Sequence, residues 1–275
     1  MTRAATHSAT LASMSSPRSI VFCGTPAFAT PSLIALLDDP AFRVDLVITQ
    51  PDKPVGRKRT LTPPPVKAVA LERGVRVAQP AKLNLALPEL RTAVPRPDFL
   101  VVVAYGQILN DAVLAWPSEA PINVHGSLLP RWRGASPVEH AVLAGDAETG
   151  VTIQIMAKEL DAGDVLAAES MPINARETAP ELRARMAEVG ARLLIDTLKK
   201  PLSPVPQPTE GITVCRKLSR EDGKVDPAAM SAEEIDRRVR ALVPWPGVTT
   251  DLSGQEVKIL ETALSPSPES MPLPC

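Results

Sequence analysis

Short β-branched runs alternate along this chain with stretches in which apolar residues recur every three or four positions, and that alternation predicts strands and helices in turn. Residues 19–23 (SIVFC) read as a first strand, closed by Gly24-Thr25-Pro26. Thr25 is expected to cap the next helix and Pro26 to take its first position, where no amide hydrogen bond is lost. That helix would turn Phe28, Leu33, Leu36 and Leu37 inward. Residues 44–49 (VDLVIT) form a second strand, followed by a polar, basic, proline-rich loop. A helix over 66–73, a short strand over 75–78 and a helix over 87–94 lead to 98–104 (DFLVVVA), an unbroken apolar run of the kind a central parallel strand requires. A strand at 122–124, a helix at 137–144 and a strand pair at 151–156 and 165–171 come next. An amphipathic helix over 180–199 then buries Leu182, Met186, Val189, Leu193, Leu194 and Leu198. The pattern as a whole describes an α/β protein with an open, mainly parallel sheet and right-handed crossovers. Such sheets bind ligands beyond the carboxyl ends of their strands, where Gly24, the 51–60 loop and Asn123-Val124-His125 should emerge.

Beyond 200 the pattern changes. Pro201, Pro204, Pro206 and Pro208 make a stiff, extended linker over 201–208. Residues 231–243 form a charged amphipathic helix with Ser231 as cap and Glu234 three residues on, stopped by Pro244-Trp245-Pro246-Gly247. Residues 252–260 suggest one hairpin around Ser253-Gly254, and from 209 on there are too few strands for an independent small β domain. The division expected is a disordered extension at 1–17, a catalytic domain at 18–200, the linker, and a partial C-terminal domain at 209–275 whose last dozen residues are disordered. The extension is rich in Ser, Thr and Ala but lacks the apolar segment of a secretory signal, and Met14 offers an alternative start.

Composition narrows the function classes. Apolar residues make up 44% of the 275 positions but aromatics only 3%, so the core must be built from Val, Leu, Ile and Ala. A net charge of −1 gives no general attraction to nucleic acid, which leaves the basic cluster in 51–60 as the place for any such contact. Cys23, Cys215 and Cys275 are too scattered for a metal site, a redox pair or a disulfide framework, which fits a reducing compartment. The longest apolar run, 99–105, is too short to cross a bilayer.

The segment 121–134 (PINVHGSLLPRWRG) is the most informative. A strand presents Asn123 and His125 on one face, because alternate side chains share a side. An amide and an imidazole side by side can stabilise an oxyanion. Asp161, in a glycine-bearing turn between two strands (ELDAGD), could reach back to the imidazole. Taken singly, each residue also has a structural explanation: a satisfied strand-end histidine, a turn-capping aspartate, an asparagine serving nearby backbone.

The ordered set resembles a known family. The string NVHGSLLPRWRGASPV, followed by GDAETGVTI and then LDAGD, is similar to formyltransferases that use 10-formyltetrahydrofolate, with the likeness running from about Ile20 to Val257. The resemblance implies a Rossmann-like fold and an Asn-x-His…Asp catalytic set of Asn123, His125 and Asp161. It also implies a folate pocket lined by Ser127, Leu128, Leu129 and Pro130, and no metal. The stretch 49–67 (TQPDKPVGRKRTLTPPPVK) resembles the loop by which the methionyl-tRNA-directed branch of the family enters the tRNA acceptor end. That likeness assigns tRNA phosphate contacts to Lys53, Arg57, Lys58 and Arg59. Implied with it are initiator methionyl-tRNA and the folate donor as partners, a monomer without membrane attachment, and residence in the cytoplasm rather than the mitochondrial matrix. The mechanism implied has Asn123 and protonated His125 stabilising the oxyanion, with Asp161 orienting the ring. The family's C-terminal domain is a small β-barrel-like module, and the sequence departs from it after about Leu260, so a truncated β-rich domain is expected. Three other readings compete. A dinucleotide binder is disfavoured because Gly24-Thr25-Pro26-Ala27-Phe28-Ala29 lacks two of the fingerprint glycines. A fold-only remnant without tRNA catalysis and a family member acting on a small amine are the others, to be separated by a single-turnover formylation assay and by substrate competition.

Overall fold

The central strands form where the chain is predominantly apolar, most fully in 99–103 (FLVVV), because helices cover both faces of the sheet. The computed structural model describes residues 16–56 and 58–264, so the expectations for 1–15, Arg57 and 265–275 fall outside the described residues. In β1 (Arg18–Gly24), Ile20 and Phe22 enter the larger core while Val21 and Cys23 enter the smaller one on the opposite face, the period of two that a pleat imposes. A single 3-10 turn (Ala27–Ala29) leads into α1 (Thr30–Asp38). Thr25 does not cap it. Pro26 stands at the cap position of the 3-10 turn, and the Thr25 hydroxyl donates to the Tyr105 carbonyl 3.0 Å away, tying two strand-end loops together.

β2 (Phe42–Ile48) pairs parallel with β1. The basic stretch expected as a loop is a hairpin of β3 (Lys53–Val55) and β4 (Thr60–Thr62). It escaped the pattern because it stands clear of the core: every described residue of both strands is exposed, so no face is selected for apolar side chains. Its base is held by Lys67, whose ammonium lies 2.7 Å from the Asp52 carboxylate. α2 (Pro65–Glu72) and the two-residue β5 (Val77–Ala78) follow.

α3 (Leu83–Ala93) begins earlier than the apolar spacing suggests and carries Pro88 inside it. The Gln107 side chain accepts from the Leu83 amide at 2.8 Å, supplying a cap from 24 residues away that no local pattern can reveal. After β6 (Phe99–Val103), Asn110 caps an unforeseen single turn, α4 (Asp111–Leu114), by accepting from the Val113 amide. β7 (Ala120–His125), the short β8 (Arg133–Gly134), α5 (Pro137–Ala144), β9 (Glu148–Ile155), β10 (Val165–Pro172) and α6 (Ala179–Leu198) complete the main layer.

The seven-stranded sheet has the order β10-β9-β7-β6-β1-β2-β5. Five strands from β7 to β5 run parallel, and β9 and β10 add an antiparallel edge. The chain is therefore an α/β protein with a mainly parallel, Rossmann-like sheet. Leu33 and Leu36 of α1, with Leu182, Met186, Leu194 and Leu198 of α6, cover one face. Leu83, Leu87 and Leu90 of α3, with Trp116, cover the other.

After α6 the chain lies back over the sheet edge. Val205 and Val165 exchange two backbone hydrogen bonds of 2.8 and 2.9 Å, and β11 (Val214–Cys215) pairs parallel with β8. α7 (Ala232–Leu242) starts with the Ser231/Glu234 capping box and adds Val239 and Leu242 to the larger core. β12 (Val248–Leu252) and β13 (Gln255–Ile259) form a hairpin that begins earlier than expected but turns at Ser253-Gly254. The C-terminal part is thus small, with few strands. Among the described residues, no helix is long and apolar enough to cross a membrane.

Candidate active site

β7 ends by presenting Asn123 and His125 on one face, 8% and 6% exposed, and both therefore need partners inside the protein. Their cross-strand neighbours on β9 are Gln154 and Thr152, also buried. Four groups converge on the Asp161 carboxylate. Its Oδ1 accepts from Asn123 Nδ2 at 3.3 Å and Gln154 Nε2 at 3.0 Å, and its Oδ2 accepts from the Gly134 amide at 2.9 Å. His125 Nδ1 stands 3.5 Å from Oδ1. Asp161 adopts φ +52°, a left-handed conformation that aspartate tolerates better than most residues.

The other ring nitrogen is fixed by backbone. His125 Nε2 lies 3.0 Å from the Trp132 carbonyl, and since a carbonyl only accepts, Nε2 must carry a proton. Trp132 itself has φ +60°, rare for so bulky a residue, and this turn is what brings its carbonyl to the ring. The loop is braced around it. The Trp132 indole donates to Asp146 at 2.8 Å, and Arg131 makes two bonds to the same carboxylate. The Trp132 amide donates to the Thr213 hydroxyl at 2.8 Å.

Two glycines permit this packing. A Cβ on Gly134, whose φ is +121°, would stand 2.2 Å from the Cys215 carbonyl, so β11 could not close on the loop with any other residue there. A Cβ on Gly163 would meet the Ile155 carbonyl at 1.8 Å. The Cys215 thiol donates to the Trp132 carbonyl, and burial pushes its pKa up. The Cys23 thiol is pushed up too, wholly by burial in the smaller core.

The residues expected at the site fall into three groups. Asn123, His125 and Asp161 come together as described. In the 127–130 loop, Ser127 is fully buried; its hydroxyl donates to the Arg131 carbonyl at 2.6 Å and its own carbonyl accepts from Thr152 at 2.7 Å. Ser127 therefore shapes the loop, while Leu128, Leu129 and Pro130 are half-exposed. Lys53, Lys58 and Arg59 are exposed on the β3–β4 hairpin, with Arg59 at φ +49°; Arg57 lies outside the described residues. Gln154, Gln207, the Gly134 amide and the Trp132 carbonyl were missed. Only Gln154 left a trace, as a polar residue in the otherwise apolar second half of VTIQI.

Comparison with known proteins gives a consistent picture. The family profile described as Formyl transferase matches residues 17–198, and that described as Formyl transferase, C-terminal domain, matches residues 217–272. A methionyl-tRNA formyltransferase of Paramagnetospirillum magneticum is 44% identical over 255 residues, covering 90% of this chain and 82% of the relative. One from Halorhodospira halophila is 48% identical over 245 residues, covering 88% and 78%. Among solved structures, an N-formyltransferase from Helicobacter canadensis, in complex with folinic acid and dTDP-3-aminofucose, superposes with a TM-score of 0.68 at 18% identity, covering 90% of this chain and 88% of that one. HypX from Aquifex aeolicus in complex with tetrahydrofolic acid gives 0.62 at 18% identity, over 90% of this chain and 38% of that one. At these identities the structural likeness speaks for the fold.

Proposed function

This chain belongs to the formyl transferase family, and from that premise we propose that it transfers the formyl group of 10-formyltetrahydrofolate to the α-amino group of methionyl-tRNA. The observation that carries the reading is the convergence of Asn123, His125 and Asp161: one carboxylate oxygen within 3.3 Å of the carboxamide and 3.5 Å of the imidazole.

The amine attacks as a free base, which an α-amino group reaches near pH ~8. Its lone pair bonds to the formyl carbon, and the carbonyl electrons move to oxygen. Asn123 has a second amide proton beyond the one given to Asp161, and it donates that proton to the oxyanion. His125 keeps its Nε2 proton on the Trp132 carbonyl, which leaves Nδ1 as the nitrogen that faces the reacting group. A doubly protonated ring can donate from Nδ1 to the oxyanion, with Asp161 balancing its charge and fixing its plane. When the oxyanion collapses, the bond from carbon to the donor nitrogen breaks. One proton leaves the attacking nitrogen and one is taken up by the folate nitrogen, relayed at Asp161. The products are formylmethionyl-tRNA and tetrahydrofolate.

The partly buried Leu128, Leu129 and Pro130 beyond the end of β7 offer an apolar wall for the ring portions of the donor, while Ser127 holds that wall from behind. Lys53, Lys58 and Arg59 supply phosphate contacts from an exposed hairpin, and Arg57 is assigned to the same contacts from the sequence alone.

The test is single-turnover formylation with the folate donor and charged initiator tRNA. His125→Ala is expected to lower the rate ~100–1,000-fold, the usual cost of a lost oxyanion donor, in a protein that still folds but loses about 1–3 kcal/mol of stability from the buried space and the hydrogen bond given up. Wild-type turnover in that variant would remove His125 from the mechanism.

A further inference from the structure

The groups that hold Asp161 extend beyond the sheet, and the one farthest along the chain comes from the proline-rich segment after α6. Residues 203–206 and 208–212 are exposed, and Gln207 between them is turned inward. Its Nε2 donates to the Asp161 carbonyl at 2.9 Å and the Gly163 carbonyl at 2.7 Å, and lies 3.5 Å from Gln154 Oε1. Its Oε1 accepts from Arg133 Nε at 3.0 Å and Nη2 at 2.7 Å. The flanking chain is pinned on both sides, by Val205 on Val165 and by Thr213 on Trp132.

We propose that Gln207 is a positioning residue for formyl transfer: a single carboxamide of the linker locks the Asp161–Gly163 turn and the Arg133 loop together, so that the Asp161 carboxylate stays against Asn123 and His125. This rests on the role given to Asp161 above. The side chain has to be an amide, because it gives protons to two carbonyls and takes protons from a guanidinium at once. A glutamate in its place would still pair with Arg133 but would set a carboxylate against the carbonyls of Asp161 and Gly163. Aspartate tolerates the left-handed backbone of Asp161 but does not by itself fix it, so contacts from outside the turn bear on where the carboxylate stands.

Gln207→Glu and Gln207→Ala, each alone and combined with Asp161→Asn, should be compared by single-turnover formylation and by the 15N resonances of the histidine rings in the free protein. Gln207→Glu is expected to slow turnover ~10–100-fold, with the KM of the folate donor changed less than ~3-fold, because geometry at the reacting centre is lost and donor contacts are not. In the Asp161→Asn background the same change should cost less than ~3-fold, since the group it positions is already disabled. The His125 ring resonances should move while those of His140 do not. An unchanged rate, equal fractional losses in both backgrounds, or unmoved His125 resonances would overturn the proposal. Should Gln207→Ala fail to fold, the near-isosteric Gln207→Glu carries the test. A folded wild-type protein that formylates nothing would instead overturn the function itself, so the two failures are distinguishable.

Discussion

Gly163→Ala is the sharpest perturbation available, because it adds one methyl group and touches none of the reacting side chains. The new Cβ would stand 1.8 Å from the Ile155 carbonyl oxygen and 3.2 Å from the Ala157 amide nitrogen. An ordinary carbon–oxygen contact is ~3.3 Å, so the two backbones must part by roughly 1.5 Å. Ile155 closes β9, which is hydrogen-bonded to β7 on one side and β10 on the other, so the strand resists and the turn moves. Asp161, two residues away, then shifts by about 1 Å, from contacts of 3.3 and 3.5 Å that have no slack. A displacement of that size costs ~100-fold in turnover. The overpacking itself should cost about 1–3 kcal/mol of stability. The assay pairs single-turnover formylation at 25 °C with urea unfolding. Gly74→Ala is the control, since that glycine has φ +68° and open space around its Cβ position. It should lose ~1 kcal/mol of stability from backbone strain and none of its turnover. A Gly163→Ala protein that turns over within about threefold of wild type would refute the claim that the turn's close approach to β9 sets the position of Asp161.

Two further outcomes follow from charges away from the reaction. Burial pushes the pKa of Asp236 up, but Arg240, Thr262 and Arg176 together hold it below the ordinary carboxylate range. The stabilisation is complete above the unfolded value of ~3.9 and is lost as pH falls through the lower folded value. Asp236→Asn should therefore cost about 3 kcal/mol at pH 7, with a gap to wild type that closes on acidification; a gap constant from pH 7 to 3 in chemical denaturation would contradict this. Replacing Lys53, Lys58 and Arg59 with alanine should weaken tRNA binding at low salt and flatten the dependence of log K on log salt by ~0.7–0.9 per lost phosphate contact. The folate KM should not move, and an unaltered salt slope would place the tRNA elsewhere.

What the sequence disclosed and what it hid divide along physical lines. The central strands were legible because burial on both faces makes every position of FLVVV apolar, and α5 and α7 because proline or a capping box marks where they start. Asn123 and His125 could be placed on one face because a strand alternates. The hairpin of β3 and β4 was not legible, since both its strands are exposed and polar positions carry no period there. The start of α3 depends on Gln107, and the anchoring of His125 depends on a backbone carbonyl, which every residue possesses. Gln207 was invisible for a related reason: a lone glutamine among prolines reads as linker until the fold brings 161 and 163 beneath it.

The direction of β9 explains why so many distant groups are needed at this one carboxylate. β9 runs antiparallel to β7, with Gln154 opposite Asn123 and Thr152 opposite His125, so the chain leaves β9 moving away from the histidine. A turn that merely joined β9 to β10 would carry Asp161 off the end of the sheet. It must instead fold back across the face, and the β9–β10 ladder, which resumes at Val165 opposite Gln154, does not require that. The restoring contacts come from elsewhere: Gln154 beneath the carboxylate, the Gly134 amide from the loop after β7, and Gln207 on the backbone from beyond α6. Two of those three lie outside the hairpin. The position of Asp161 is therefore a property of the assembled chain, and the segment joining the sheet to the C-terminal part belongs to the site as much as to the tether.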